Sequence, residues 1–201
     1  MKTIIQIRNL TKVINKQCIF KQINLDIYEN EILVVMGNSG AGKSTLLNIL
    51  CQIDNDYEGE VKYDNSIFDE IKIPFPMVFQ ESESLLPWLS VEENLKVIHQ
   101  NIDEKVLDDV LEKVELKEHR YKKPRALSGG MKQRVGIARA LLCKSKILFM
   151  DEPFASLDME LREKMQALVL KIQKEQQLSV VFVTHDEREA AVMSTRIFRI
   201  D

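Results

Sequence analysis

The sequence predicts an α/β fold in which a phosphate-binding loop lies at one edge of a mainly parallel sheet. Residues 37–45, GNSGAGKST, fit the pattern G-x-x-x-x-G-K-[ST] of such loops. The apolar run 32–36 comes directly before the loop and predicts a buried strand. The apolar runs 147–150 and 180–184 have the composition of parallel strands that are buried on both faces.

The residue types of the loop suit a phosphate group. Its glycines let the backbone bend, and the free N–H groups at the start of the following helix carry a partial positive charge. Lys43 adds a mobile charge for the outer phosphates, and the Ser44 hydroxyl is a possible Mg²⁺ ligand. The alternative is a glycine turn that only connects a strand to a helix. The nucleotide site predicted by the loop comprises Asn38, Ser39, Gly40, Ala41, Gly42, Lys43, Ser44 and Thr45.

The composition fits one domain. A chain of 201 residues that is 45% hydrophobic has enough apolar material for one core. The net charge of −3 argues against a general nucleic-acid surface. Cys18, Cys51 and Cys143 are far apart, which predicts reduced core residues of a cytosolic protein. Since no run is long enough to cross a bilayer and the first residues do not resemble a signal peptide, we expect any membrane role to come through a partner.

The N-terminal part predicts a β-rich region around the loop. Strands are expected at 4–8 and 18–27, a turn at 29–30, and a further strand after a turn at 57–61. The residues after the loop, 44–51, predict a buried helix.

Gln80 ends a short apolar segment, 77–79, that predicts another strand. A polar residue at a strand end beside a phosphate site is a candidate ligand for a metal ion or a water molecule. The alternative is an ordinary loop glutamine.

A helical insertion is predicted to follow. Ser90 and Glu93 have capping-box spacing. Residues 103–116 carry apolar side chains on one helical face, namely Val106, Leu107, Val110, Leu111 and Val114. Residues 131–142 are strongly helical. The predicted organisation is a single domain, 1–201, with an α/β core at 1–80 and 136–201 and a helical subdomain at 81–135.

The α/β pattern resumes after the insertion, and its strands end in ionisable residues. Asp151 and Glu152 follow the run 147–150, at the strand end where ligands of parallel sheets bind. One carboxylate can hold Mg²⁺ through water and the other can activate the attacking water. His185 follows the run 180–184 and is a candidate partner of the terminal phosphate. The alternatives are an acidic pair that only ends a strand and a capping or surface histidine. The remaining predicted elements are helices at 157–175 and 186–193 and a strand at 196–200.

A second anion-binding device is predicted at Ser128-Gly129-Gly130, which opens a helix. The alternative is a flexible helix start. Two phosphate cradles in one chain make sense if a second copy of the chain supplies one of them.

Taken together, these residues resemble the ATPases of ABC transporters in the order of that family's motifs. The matching segments are 37–45 (Walker A), Gln80 (Q-loop), 127–131 (signature), 147–152 (Walker B), 156–158 (D-loop) and His185 (switch histidine). Residues 85–88, Met131 and 151–158 further resemble the importers of nitrate, sulfonate, taurine and related solutes. The resemblance implies a P-loop NTPase fold with a RecA-like core, a mainly parallel sheet, an N-terminal antiparallel β-subdomain and an inserted helical subdomain.

The resemblance implies an ATPase that works as a head-to-tail homodimer. Each ATP would lie between residues 37–45 of one subunit and residues 128–130 of the other. Glu152 would be the general base, with Lys43 and His185 acting on the phosphates. The implied Mg²⁺ ligands are Ser44, Gln80 and Asp151, and Asp158 would communicate across the dimer.

The resemblance also implies partners at a membrane. The region around Leu85 to Leu95 would contact a short helix of a permease, and a solute-binding protein would act indirectly. The position of Trp88 in a loop, between a proline and a leucine, fits such a contact, and subdomain core is the alternative. The chain would be cytoplasmic, on the inner face of the plasma membrane, and would bind no nucleic acid.

Two residues and the length of the C-terminal part depart from the family pattern. Ile14 falls where relatives usually have an aromatic residue that stacks on adenine, so we expect apolar contact without stacking. Asn30 replaces a usual turn glycine and tolerates positive φ. The chain ends soon after His185, so we expect no C-terminal regulatory domain. A soluble non-transport ABC ATPase, an exporter ATPase, and a P-loop kinase or inactive module remain alternative functions.

Overall fold

The computed structural model describes residues 1–68, 75–79, 85–98, 102–143 and 145–200. It contains a three-stranded antiparallel sheet, β2-β1-β4, and a five-stranded parallel sheet, β5-β6-β7-β3-β8. The strands are β1 (Thr3–Ile14), β2 (Gln17–Tyr28), β3 (Ile32–Met36), β4 (Glu58–Tyr63), β5 (Met77–Val78), β6 (Ile147–Asp151), β7 (Ser179–Val183) and β8 (Arg196–Arg199). The α-helices are α1 (Lys43–Leu50), α2 (Val91–Lys96), α3 (Glu104–Lys113), α4 (Gly129–Leu142), α5 (Met159–Gln176) and α6 (Glu187–Met193). The predicted fold class is confirmed.

The strand order brings distant segments of the sequence to one edge of the parallel sheet. β3, β6 and β7 are buried at every position, as parallel strands covered on both faces must be. Val183 of β7 is paired with Asp151 of β6 and with Val35 of β3. The carboxyl ends of the three strands therefore lie side by side.

Alternate side chains of the parallel sheet enter two different cores. Leu33 and Val35 belong to a cluster that includes Leu46 of α1 and residues of the antiparallel sheet. Val34 belongs to a second cluster on the other face, which includes Met165 of α5. The parallel sheet is therefore covered by the antiparallel sheet and α1 on one side and by helices on the other.

The helical subdomain has a third core, and α4 connects it to the sheet. Val135 and Leu142 of α4 pack with residues of α2 and α3, whereas Ile137 packs in the second sheet core. The subdomain boundary predicted between 135 and 136 therefore falls inside a continuous helix. Within the part of the chain that the structure describes, no helix combines the length and the apolar character that crossing a bilayer requires.

Cys18 and Val106 are placed differently from the prediction, and one alternative for Trp88 is excluded. Cys18 is exposed near the β1–β2 turn and is not a core residue. Trp88 is 64% exposed, so its interpretation as subdomain core is wrong. Val106 is 39% exposed because α3 turns Leu107 and Leu111, four residues apart, toward the core.

Other predictions agree with the structure. Cys51 and Cys143 are free and buried, and burial raises the pKa of Cys51 to about 12 and of Cys143 to about 11. Ser90 and Glu93 form the expected capping box of α2. Asn30 adopts a φ of 64° in the turn between β2 and β3.

Arg120 joins α2 to α3 through three carboxylates. Its Nε is 2.5 Å from Glu92 Oε2, its Nη1 is 2.6 Å from Asp108 Oδ1, and its Nη2 contacts Glu104. Lys96 contacts Glu92 and Glu104 as well. The hydrogen bond from Arg120, opposed by partial burial and supported by Lys96, holds the pKa of Glu92 at about 2. This network sets the relative position of the two short helices.

We expect Glu92→Gln to destabilise the protein by about 1–3 kcal/mol at pH 7, because Arg120 loses a charged acceptor. Since folding lowers the pKa of Glu92 from 4.5 to about 2, its stabilising effect is present above pH 4.5 and is lost as the pH falls toward 2. Urea unfolding at pH 7 and at pH 4 measures this difference, which should be smaller at pH 4. The control Glu112→Gln, at a side chain that is 72% exposed, should change stability by less than about 0.5 kcal/mol. A pH-independent difference would contradict the prediction.

Candidate functional site

The loop between β3 and α1 borders an open cavity of about 760 Å³. Gly40 and Gly42 adopt φ angles of 84° and 88°, in the left-handed region that favours glycine. Gly42 is the N-cap of α1, and the first turn of this fully described helix has neither a capping side chain nor an acidic residue. Its N–H groups therefore suit an anion. The cavity is lined by Ile19, Gly37, Asn38, Ser39, Gly40, Gly42, Lys43, Ser44, Thr45, Glu152 and His185.

Strand β2 presses against the loop at Gly42. A Cβ atom at this position would lie 2.5 Å from Ile19 Cγ2 and 2.9 Å from Phe20 Cδ1. The same contact places Ile19 on the wall of the cavity. Sequence reasoning assigned Ile19 to a strand but not to the site, because no pattern in the sequence shows which strand face meets the loop.

Lys43 turns its ammonium group onto the loop's own backbone. Nζ donates to the carbonyl oxygen of Gly37 at 2.9 Å and to that of Asn38 at 3.0 Å, and the residue is 7% exposed. Ser44 and Thr45 follow in the first turn of α1 and line the cavity. The loop thus presents a lysine, a hydroxyl and helix N–H groups together, which is the set that a nucleotide's outer phosphates need.

Asp151, the last residue of β6, fits a magnesium site. Its side chain is buried, and Oδ1 has no hydrogen-bond partner among the described residues. Burial raises the pKa of this carboxyl; the Ser44 hydroxyl and Lys43 oppose the rise, and Glu152 adds to it. An unsatisfied carboxylate oxygen near a hydroxyl suits Mg²⁺ or one of its waters. In the described ranges no three His, Cys, Asp or Glu side chains are grouped so that they could hold a metal ion by themselves.

Glu152 and His185 meet where β6 and β7 end. Glu152 Oε1 is 3.1 Å from His185 Nδ1, and the Glu152 N–H donates to the carbonyl oxygen of Val183 at 3.0 Å. Glu152 adopts a φ of 42°, a strained conformation that often marks a functional residue. The Glu152 side chain is 15% exposed and the His185 side chain is 66% exposed. Both line the cavity beside the loop, and their chemical roles stay predictions.

The second predicted phosphate cradle lies away from this cavity. Ser128 caps α4 by accepting a backbone N–H at 3.2 Å, and a Cβ on Gly129 would meet nothing within 4 Å. Gly130 packs against Leu157 instead. Asp158 caps α5 through the Leu161 N–H at 3.0 Å. Within the described residues, none of these side chains lines the cavity. The structure therefore does not bring the two cradles together within one subunit.

Gln80 lies outside the described residues, but a buried side chain holds its neighbour. Gln133 of α4, which is 3% exposed, donates from Nε2 to the carbonyl oxygen of Phe79 at 3.0 Å. The sequence analysis did not identify Gln133. The one feature of the sequence that could have indicated it is a polar residue at a helix position predicted to be buried. Ile14 is 40% exposed, and among the described residues Ile19 rather than Ile14 lines the cavity. The predicted base contact of Ile14 stays a prediction.

Comparison with known proteins relates this geometry to a family. Residues 20–155 match the family model described as ABC transporter. The chain is 39% identical over 185 residues to an aliphatic sulfonates import ATP-binding protein of Bacillus licheniformis, covering 90% of this chain and 72% of that protein. It is 37% identical over 213 residues to a nitrate transport protein of Klebsiella oxytoca, covering 98% and 80%. A dimeric ATP-binding cassette bound to ADP and Pi, in a post-hydrolysis state, is 33% identical, with a TM-score of 0.85 and coverage of 98% and 94%.

We expect Gly42→Ala to destabilise the protein by about 2–4 kcal/mol and to weaken nucleotide binding, because it adds a left-handed alanine and a clash with β2. The matched variant Gly40→Ala has a similar φ but open space around Cβ, so it should cost only about 1–2 kcal/mol. Urea unfolding and titration with a fluorescent ATP analogue measure both effects. Equal losses in the two variants would contradict the role of the contact with β2.

Proposed function

The chain belongs to the ABC transporter family, and on this premise we propose that it hydrolyses ATP to energise the import of small solutes of the nitrate, sulfonate and taurine type. One observation carries the proposal. The loop residues, Glu152 and His185 line one cavity at the carboxyl ends of parallel strands. The import and transport named for its relatives favour an importer over an exporter or a non-transport ATPase.

The geometry supports a division of labour among the site residues. Lys43 and the N–H groups at the start of α1 bind the phosphates of ATP, and Glu152 acts as the general base that takes a proton from the attacking water. His185 Nδ1 lies against the Glu152 carboxylate, which leaves Nε2 for the terminal phosphate. When bound, Mg²⁺ neutralises phosphate charge, and Ser44, Gln80 and Asp151 are its proposed ligands.

The site is proposed to be completed by a second copy of the chain. Ser128 and Gly129 are exposed, and a helix of fourteen residues begins at this tip, so its N–H groups can reach an anion on another subunit. In the head-to-tail dimer, Ser128, Gly129 and Gly130 of one subunit cover the ATP held by residues 37–45 of the other. The dimeric state of the similar cassette supports this arrangement.

A firmly held loop around Trp88 is proposed to contact the permease. Asn94 is fully buried, and the two N–H groups of its Nδ2 are shared among the carbonyl oxygens of Leu86, Leu89 and Ser90, at 3.1, 3.2 and 2.9 Å. These bonds fix a loop on which Trp88 is exposed. An exposed tryptophan on a fixed loop is a typical anchor for a protein partner. Through the permease, the chain would lie at the inner face of the plasma membrane and respond indirectly to a solute-binding protein.

We expect Glu152→Gln to bind ATP and to dimerise, but to hydrolyse ATP about 10²–10⁴-fold more slowly, because the base is removed while the shape is kept. Steady-state phosphate release and size-exclusion chromatography with ATP measure the two properties. The control Glu112→Gln, on the exposed side of α3, should hydrolyse ATP at the unsubstituted rate. Unchanged turnover in the Glu152 variant would remove Glu152 from the role of base.

We expect Trp88→Ala to reduce co-purification with the permease at least about tenfold while the ATPase rate of the isolated chain stays the same, because a central aromatic anchor carries much of an interface. Val192→Ala, which removes another exposed apolar side chain on α6, is the control and should co-purify normally. Quantitative pull-down from membranes that contain the tagged permease provides the measurement. Equal recovery of both variants would exclude this loop as the contact.

A further inference from the structure

We propose that Arg162 and Glu189 are positioning residues that hold the His185 turn against the loop that precedes α5. The role rests on the ATPase function proposed above, because His185 is assigned to that reaction. Neither residue lines the cavity within the described part of the chain. Their effect on hydrolysis would therefore be exerted through His185.

Arg162 contacts two separate segments with one side chain. It lies in the first turn of α5, and its Nη2 donates to the carbonyl oxygen of Leu157 at 3.3 Å. Its Nη1 is 3.5 Å from Asp186 Oδ2, and its Nε is 3.6 Å from Glu189 Oε1. The guanidinium group thus bridges the segment before α5 and the segment around His185. A planar fork is suited to such simultaneous contacts, which a lysine would not reproduce.

Glu189 contacts the residue that precedes His185. Its side chain is 6% exposed, and Oε2 accepts the Thr184 hydroxyl at 2.7 Å. The same hydroxyl oxygen accepts the N–H of Asp186 at 3.0 Å. Thr184 and Asp186 flank His185 in the sequence. Thr184 contacts Glu189 and Asp186 contacts Arg162, so both neighbours of His185 are held by this pair. Burial raises the pKa of Glu189, whereas the Thr184 hydroxyl and Arg162 lower it, so the pair is held in a partly desolvated setting.

The segment at the other end of Arg162 faces the tip of α4. Leu157 is buried, and a Cβ on Gly130 would lie 3.0 Å from Leu157 Cδ2 and 3.4 Å from Leu161 Cδ2. The contacts therefore run from the tip that would cover the partner's nucleotide, through Leu157 and Arg162, to Asp186, the residue directly after His185. This continuity is the reason to assign Arg162 a role in the reaction and not only in folding.

Loss of the guanidinium should move His185 without unfolding the chain. Asp186 and Glu189 would face each other without the cation that now lies between them. The packing of α5 on the sheet uses Met165 and Val169, which lie further along the helix. We therefore expect the turn around His185 to loosen while the core persists.

The kinetic test compares Arg162→Gln, Arg162→Lys and the control Lys171→Gln. Lys171 lies on the same helix and is 67% exposed, so its replacement makes the same change of charge away from the turn. We expect Arg162→Gln to lower kcat about 10–100-fold with KM for ATP changed less than about threefold, since misplacement of a catalytic group affects the chemical step. Arg162→Lys should have a kcat between those of Arg162→Gln and the unsubstituted protein. Lys171→Gln should have the kcat of the unsubstituted protein.

A spectroscopic test reads the position of His185 without ATP. The chain has three histidines, so the imidazole nitrogen signals of His185 can be assigned by comparison with His185→Gln. In Arg162→Gln and in the isosteric Glu189→Gln, we expect these signals to move toward those of a free imidazole while the signals of His119 stay in place. Intact His119 signals also show that the variants are folded.

The outcomes are separable from the test of the proposed function. His185 signals that stay unchanged in both variants would overturn the positioning role, whatever the hydrolysis rates. Shifted His185 signals together with a lowered kcat support it, and a normal kcat despite shifted signals would overturn its link to the reaction. A protein that hydrolyses no ATP even without substitutions would count against the proposed function and, with it, against that link. The imidazole spectra would still decide whether the pair positions His185.

Discussion

The parallel pairing of β3 and β6 with β7 is the constraint on which the site depends. Val183 is the common partner of Val35 and Asp151, so three strands from distant parts of the chain end at the same level. A one-residue slip would turn every side chain of a strand to the other face. Burial at every position of the three strands opposes such a slip, because each alternate side chain has its own apolar core. The register of a buried sheet thus fixes the distance between the phosphate loop and the residues that follow β6 and β7.

Helix α4 extends this rigidity to the tip formed by Ser128, Gly129 and Gly130, the part of the chain that is proposed to meet a second copy. Val135 and Leu142 pack in the helical core, and Ile137 packs against the sheet, so neither unit can move as a whole without disturbing α4. The hydrogen bond from Gln133 to Phe79 adds a polar tie next to the end of β5. The N-terminal tip of α4 is therefore presented at a defined place relative to the sheet, although it contributes nothing to the cavity of its own subunit.

Local patterns in the sequence predicted most of the fold and the centre of the site. The loop 37–45, the buried runs and the Ser90 capping box are each specified by neighbours in sequence, and all three appear in the structure. Ile19, Gln133 and the Arg162–Glu189 contacts were not predicted, because they depend on which faces of distant elements meet. The misplaced Cys18 shows the same limit: apolar character predicts burial only when another element is available to cover the residue.

The proposed distribution of the site between two copies would have a physical consequence for control. In one subunit the cavity is open and His185 is 66% exposed, so water screens the charges that act on a phosphate. Covering the cavity with the tip of another subunit would expel water and strengthen the same interactions without any new catalytic group. Hydrolysis would then be slow in the isolated chain and fast only when two copies are held together. A permease that controls how closely the two copies approach would thereby control the rate, even though its proposed contact is with a loop that contains none of the residues assigned to the chemistry.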